Sequence, residues 1–219
     1  GRHLGIEGPQ AVFLEAADID EFEYRLADLD GDVWLSCTAP LKHAPQDRLG
    51  VTGPEGVNAI NQLKRTQGEW TGTSTDGLGF VAACRHIGIE PDGSVLRMRG
   101  GGSAARAIAA AWAEAGGLIT PEQGRRALVS GPWDGALVAD GRADLGIDLD
   151  AAPAGGQSTP LDAEMQVSIS YGYGAGTDEF AVIMVAAQHL EAWKAIFAPE
   201  RAADLPSLSL VLDGLAESA

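Results

Sequence analysis

The sequence predicts an α/β fold with mostly parallel sheets. Three observations carry this. Short apolar strand candidates alternate with helical patterns along the chain, which favours strands joined by helical crossovers. One unit, 95–115, runs strand, glycine turn, helix in succession. The length of 219 residues is about one and a half domains of roughly 150 residues, so one large or two small domains fit, either with a real core.

In chain order, 18–29 reads as an acidic amphipathic helix. Ile19, Phe22, Leu26 and Leu29 fall at helical spacing, and Asp18 is placed to cap it. Asp30-Gly31 turns into Val33-Trp34-Leu35, a short buried strand, followed by the loop Ser36–Lys42. Residues 57–63 and 70–72 read as strands joined by a hairpin turn at Gln67-Gly68, and 77–86 as a helix. Strand 95–98 leads through Gly100-Gly101-Gly102-Ser103 into an alanine-rich helix, 104–115, ended by Gly116-Gly117. Leu118-Ile119 is a brief strand, and Thr120-Pro121-Glu122-Gln123 fits the start of another helix. Residues 137–138, 145–149 and 167–169 are further strands. Residues 151–160 form a loop. Helices are expected over 178–197 and 207–216.

Composition narrows the function. Fifteen basic against 31 acidic residues give a net charge of −16, which disfavours nucleic acid and anionic membranes as partners. No uninterrupted apolar window of membrane length and no leader pattern is visible, so a cytoplasmic protein is expected. Cys37 and Cys84 read as buried, reduced thiols, and no Cys/His cluster has zinc spacing. The chain begins at Gly1, so an upstream segment is expected. Twenty-nine glycines are nearly twice the usual share of about 7%.

Gly100-x-Gly102-x-x-Ala105 follows a strand and opens a helix, the context in which this spacing binds a dinucleotide. The helix N-terminus offers unpaired N–H groups to a pyrophosphate. Arg97 and Arg99 are unusual inside such a strand; either they flank an anion or the strand is partly exposed. Glu122 favours a free ribose 2′-hydroxyl and NAD, whereas Arg125 and Arg126 favour a 2′-phosphate and NADP. Lys42 and Asp76 sit in loops rich in Ser and Thr (Ser36, Thr38, Ser74, Thr75), with Asn58 near in sequence. Such groups suit a polyol, and a Lys–Asp pair can move a proton to or from a hydroxyl.

On these residues the chain resembles the shikimate dehydrogenase family. The family's N-V-T-x-P-x-K is similar to Ser36–Lys42, and its A-V-N-T to Gly56-Val57-Asn58-Ala59. Its G-x-N-T-D-G-x-G is similar to Gly72–Gly79, and its G-A-G-G-A-x-R-A to Gly100–Ala107. Its N-A-T-P-x-G-M resembles 150–156, its strand-end tyrosine Tyr171, and its M-L-V-x-Q helix Met184–Gln188. The resemblance implies two domains: a substrate-binding α/β domain, 1–87 with 178–219 returning, and a reduced Rossmann-like domain, 88–177. It implies hydride transfer between shikimate, or a close cyclic hydroxy acid, and NADP, with NAD open. Lys42 and Asp76 would relay the proton. Ser36, Thr38, Asn58, Thr75, Tyr171 and Gln188 would hold the substrate. Gly100, Gly101, Gly102, Ser103, Ala104, Arg106, Ala152 and Met184 would hold the cofactor. A homodimer is left open.

Departures set up the alternatives. Family asparagines are replaced by Ser36, Ser74 and Asp150, the methionine of N-A-T-P-x-G-M by Gly156, and the 2′-phosphate motif N-R-T has no clean counterpart. The family's N-terminal serine pair is absent from the chain. A NAD-preferring dehydrogenase of quinate or another hydroxy acid is one alternative. A binding protein with weak dinucleotide affinity is the other.

Overall fold

The computed structural model describes residues 1–6, 12–38, 41–139, 141–151, 159–170, 175–177 and 179–217. Near the N-terminus, helix α1 (Ile19–Ala27) forms where apolar residues recur on one face, burying Phe22 and Leu26. Asp18 caps it as expected, its carboxylate accepting from the Asp20 and Glu21 N–H groups at 3.1 and 2.9 Å. The Glu21 carboxylate reaches back to the Ala17 N–H at 2.8 Å, so three backbone donors at the helix start are met by two side chains.

Strands β1 (Val33–Ser36), β2 (Gln62–Thr66) and β3 (Glu69–Thr73) make an antiparallel sheet in the order β1-β2-β3. The hairpin read from Gln67-Gly68 forms here. Gln67 and Gly68 have φ of 52° and 85°, a two-residue turn that folds β3 directly back on β2. The first hairpin strand begins at Gln62 rather than 57, because Asn58 turns the chain at φ 48°. Strand β1 turns one face, Val33 and Leu35, toward a core. Leu35 and Leu63 join Phe22, Leu26, Cys37, Val51 and Ile60 in a core closed by α2 (Ala44–Leu49). On the other face Trp34 stacks on Phe197 at 5.2 Å, and Lys64 Nζ donates to the Phe197 carbonyl at 3.2 Å.

A second sheet, order β5-β4-β6-β7, is wholly parallel. It contains β4 (Val95–Arg99), β5 (Leu118–Glu122), β6 (Leu145–Asp148) and β7 (Met165–Val167). Leu96, Met98, Leu145 and Ile147 are fully buried in the central strands and pack with Ile108 and Trp112 of α4 (Ser103–Glu114). The helix expected from Thr120 does not form. Pairing with β4 carries β5 through Glu122, and Pro121 is tolerated because β5 is an edge strand. The chain then runs irregularly to a 3₁₀ turn at Asp134–Ala136, and 137–138 contributes only an isolated bridge to Ile119.

Helix α3 (Asp76–His86) lies between α4 and α5 (Phe180–Ala192). Its glycines make this possible. A Cβ on Gly77 would overlap the Ala107 carbonyl oxygen, and one on Gly79 would lie 2.6 Å from the Gln188 Cβ. Helix α5 continues as a π-helical turn, Trp193–Phe197, and α6 (Leu208–Ala216) is capped by Ser207. The run Phe180–Phe197, of mean hydropathy 1.3, is long and apolar enough to cross a membrane by length and composition, though Gln188, His189, Glu191 and Lys194 interrupt it. It carries a Lys194–Glu191 ion pair at 2.6 Å, and Ala181, Ile183, Met184, Ala186 and Ala187 on it are buried.

Burial pushes the His189 imidazole of α5 below its ordinary pKa. The unfolded chain therefore binds this proton more readily, so stability is lost as pH falls below about 6.5. His189→Gln is expected to remove that part of the slope. Urea midpoints of both forms should converge between pH 8 and pH 5.5; parallel curves would refute the assignment. Burial also drives the Cys37 and Cys84 thiols up to about 12.

Candidate active site

Lys42 ends up beside Asp76. The lysine lies in a 3₁₀ turn, Leu41–His43, after β1, and Asp76 is the first residue of α3. A carboxylate suits the positive end of a helix. Lys42 Nζ donates to Asp76 Oδ2, with only 14% and 5% of the two side chains exposed.

The segment before β2 fastens both partners. The Ile60 N–H donates to the Lys42 carbonyl at 2.8 Å. Asn61 Nδ2 donates to Asp76 Oδ1 at 2.9 Å and to Thr75 Oγ1 at 3.1 Å. Asn61 Oδ1 accepts from the Thr75 N–H at 2.6 Å, and its carbonyl accepts from the Cys37 N–H at 2.8 Å. One buried amide thus fixes the carboxylate that fixes the ammonium.

Asn61 was not among the residues singled out in the sequence; Asn58 was. Asn58 is exposed, and its recorded hydrogen bond is its backbone carbonyl accepting from Arg106 Nη2 at 2.9 Å. Ala59-Ile60-Asn61-Gln62 fits A-V-N-T as well as Gly56–Ala59 does, and its place directly before the hairpin was the usable signal.

Of the other proposed substrate residues, Thr75 belongs to this network. Ser36 and Thr38 line a cleft with Leu14, Glu15 and Leu41. Ser36 Oγ donates at 3.0 Å to Oε1 of Gln62, its partner across β1–β2. Gln62 Nε2 and Ser74 Oγ are buried without a hydrogen-bond partner among the described residues. Gln188 packs against Gly79. Tyr171 lies outside the described residues.

The cofactor residues divide. Gly102, the N-cap of α4, opens onto free space, and Ser103 and Ala104 begin the helix. That end fits a pyrophosphate. Beside it, Gly101 is crowded by the Ala127–Leu128 backbone and Gly100 by Asp150 and Leu149. Two assignments are corrected. Arg106 does not face a phosphate: its guanidinium donates to the carbonyls of Val57, Asn58 and Gly101 at 2.7, 2.9 and 3.2 Å. Met184 is packed in the core. Ala152 lies outside the described residues.

The strand arginines are also resolved. Arg97 Nη1 meets Glu122 at 2.8 Å and its Nη2 the Gly141 carbonyl at 2.6 Å, while Arg99 lies 3.6 Å from Asp148. Carboxylates on neighbouring strands, not a ligand, answer these charges, and Arg97 is buried. Glu122 is thereby engaged. Arg125 binds Asp150. Arg126 has no hydrogen bond or ion pair among the described residues. With burial as the larger cause, its charge holds the Arg106 guanidinium below its ordinary pKa.

No family model matches the chain. It is 40% identical over 96 residues to the shikimate dehydrogenase (NADP(+)) of Xanthomonas campestris pv. campestris, covering 40% of the chain and 32% of that protein. It is 32% identical over 117 residues to the enzyme of that name from Bacillus cereus, covering 52% of the chain and 42% of that protein. The matched lengths are thus well under half of these relatives. Among solved structures, shikimate 5-dehydrogenase from Thermus thermophilus in complex with shikimate superposes with a TM-score of 0.68 at 21% identity, over 92% of this chain and 85% of that one. Over the matched stretches the chain is similar to shikimate dehydrogenases, and it shares their fold. Their fold is also shared by 5-ketofructose reductase of Gluconobacter, with a TM-score of 0.55 at 19% identity, over 84% of this chain and 79% of that one. The shikimate dehydrogenase fold therefore carries more than one substrate, and substrate choice has to be argued from the site.

Proposed function

We propose that the chain is the NADP-linked oxidoreductase of a small cyclic hydroxy acid, shikimate first, interconverting its carbinol with the ketone. The observation that carries this is the buried Lys42–Asp76 pair held by Asn61 and Thr75. When a carbinol is oxidised, its hydroxyl proton must leave as the carbonyl forms. Lys42 would take that proton as its neutral amine, becoming the ammonium that Asp76 holds, and the ammonium would return it in reduction. Ser36, Thr38, Thr75 and Gln188 would hold hydroxyl and carboxylate groups around it. The dinucleotide would supply the hydride acceptor, with Gly102, Ser103 and Ala104 holding its pyrophosphate. Arg126, which has no ion-pair partner among the described residues and follows β5 near the glycine loop, favours a 2′-phosphate, hence NADP, over the NAD reading based on Glu122.

The same reading divides the chain into a substrate unit, 1–87 with 178–219, and a dinucleotide unit, 88–177. The antiparallel sheet with α1 and α2 keeps a core of its own, which supports a separate first unit, while α3 and the returning helices α5 and α6 pack with the parallel sheet. Initial rates with shikimate or quinate, each with millimolar NADP⁺ or NAD⁺, test the function. The largest kcat/KM is expected for shikimate with NADP⁺. Faster reaction of quinate with NAD⁺ would replace this reading.

A further inference from the structure

The backbone that follows β5 lies on the glycine loop. A Cβ on Gly101 would overlap the Ala127 carbonyl oxygen and come within 2.8 Å of the Leu128 nitrogen. From the other side, a Cβ on Gly124 would overlap Asp150 Oδ2 and come within 3.0 Å of the Gly100 nitrogen. Asp150 ties the two segments together. Its carboxylate accepts from the Arg125 N–H, and its carbonyl accepts from Arg125 Nη2 at 2.7 Å. The far end is anchored by Trp133, fully buried, whose Nε1 donates to the Val129 carbonyl at 3.1 Å.

In a dinucleotide fold the adenosine ribose lies between the first glycine turn and the end of the second strand, while the pyrophosphate takes the helix N-terminus. The second strand here is β5, ending at Glu122. We propose that residues 124–128 occupy the adenosine half of the site, so that a dinucleotide binds only by displacing them. This rests on the dinucleotide reading above but not on shikimate as substrate. The pyrophosphate end at Gly102 stays open. Alanine at 101 would forbid the contact.

Gly101→Ala and Gly124→Ala attack the contact from opposite sides. Neither glycine has a left-handed φ, so the backbone accepts alanine at both. Calorimetry with 2′,5′-ADP, which carries the adenosine half alone, is the probe, with nicotinamide mononucleotide as the control. Each variant is expected to bind 2′,5′-ADP about tenfold tighter or more, a gain of about 1.4 kcal/mol, with the control within about twofold. Hydrogen exchange at the Arg125 amide should rise in both variants, and in the unaltered chain when 2′,5′-ADP is added. Equal or weaker 2′,5′-ADP binding in the variants overturns the proposal, as does an absence of binding in all three forms. Neither readout involves shikimate turnover, so loss of that activity would overturn the proposed function and leave this inference standing.

Discussion

Lys42→Ala is expected to lower kcat for shikimate oxidation by about 10²- to 10⁴-fold, the range a positioned acid–base group supplies, with KM changed only a few-fold. The asymmetry follows from position. Lys42 Nζ is committed to Asp76, so its part is the proton rather than most of the binding. Its removal also strands a buried carboxylate, a loss of about 3–5 kcal/mol in comparable pairs. Asn61 still donates to the other carboxylate oxygen, which should keep the loss toward the lower end. Melting curves therefore accompany the kinetics. A folded variant with unaltered kcat would remove Lys42 from the mechanism.

The second large effect is on folding. Gly77→Ala places a Cβ against the Ala107 carbonyl and 2.8 Å from the Ala111 Cβ. Both belong to α4, so neither is a flexible tip that can yield. Overpacking of this kind costs about 1–3 kcal/mol and sometimes more, against a gain of up to about 1 kcal/mol from helix propensity. A net loss of about 2 kcal/mol would lower the melting temperature by roughly 4–8 °C for a chain this long. Gly214→Ala in α6, where a Cβ meets nothing within 4 Å, is the control and should be neutral or stabilising. Equal melting temperatures for the two variants would show that α3 and α4 are not packed as described.

Legibility in the sequence followed the range of the forces involved. Asp18 before an amphipathic run and Gln67-Gly68 between two apolar stretches are local signals, and both elements form there. The Thr120 helix start is equally local and fails, because pairing with β4 lies outside the window in which a capping pattern is read. The proton-relay pair could be proposed from two loops 34 residues apart. The residue that holds it could not be read as securely, since Asn58 and Asn61 satisfy the same short pattern and only the fold buries one of them. Arg97 and Arg99 left two readings open, an anion or a partly exposed strand, because the carboxylates that answer them, Glu122 and Asp148, come from other strands. Gly101 read as a phosphate-cradling glycine, and only the course of 124–128 shows what it admits.

The central claim is that Lys42 and Asp76 act as one proton-handling unit. A double-mutant cycle on kcat, comparing Lys42→Ala, Asp76→Asn and the double variant, tests it most directly. Groups that act as a unit are non-additive. The double variant is expected to fall within a few-fold of Lys42→Ala alone. Losses that multiply, with the double variant slower by the product of the two single effects, would contradict the account.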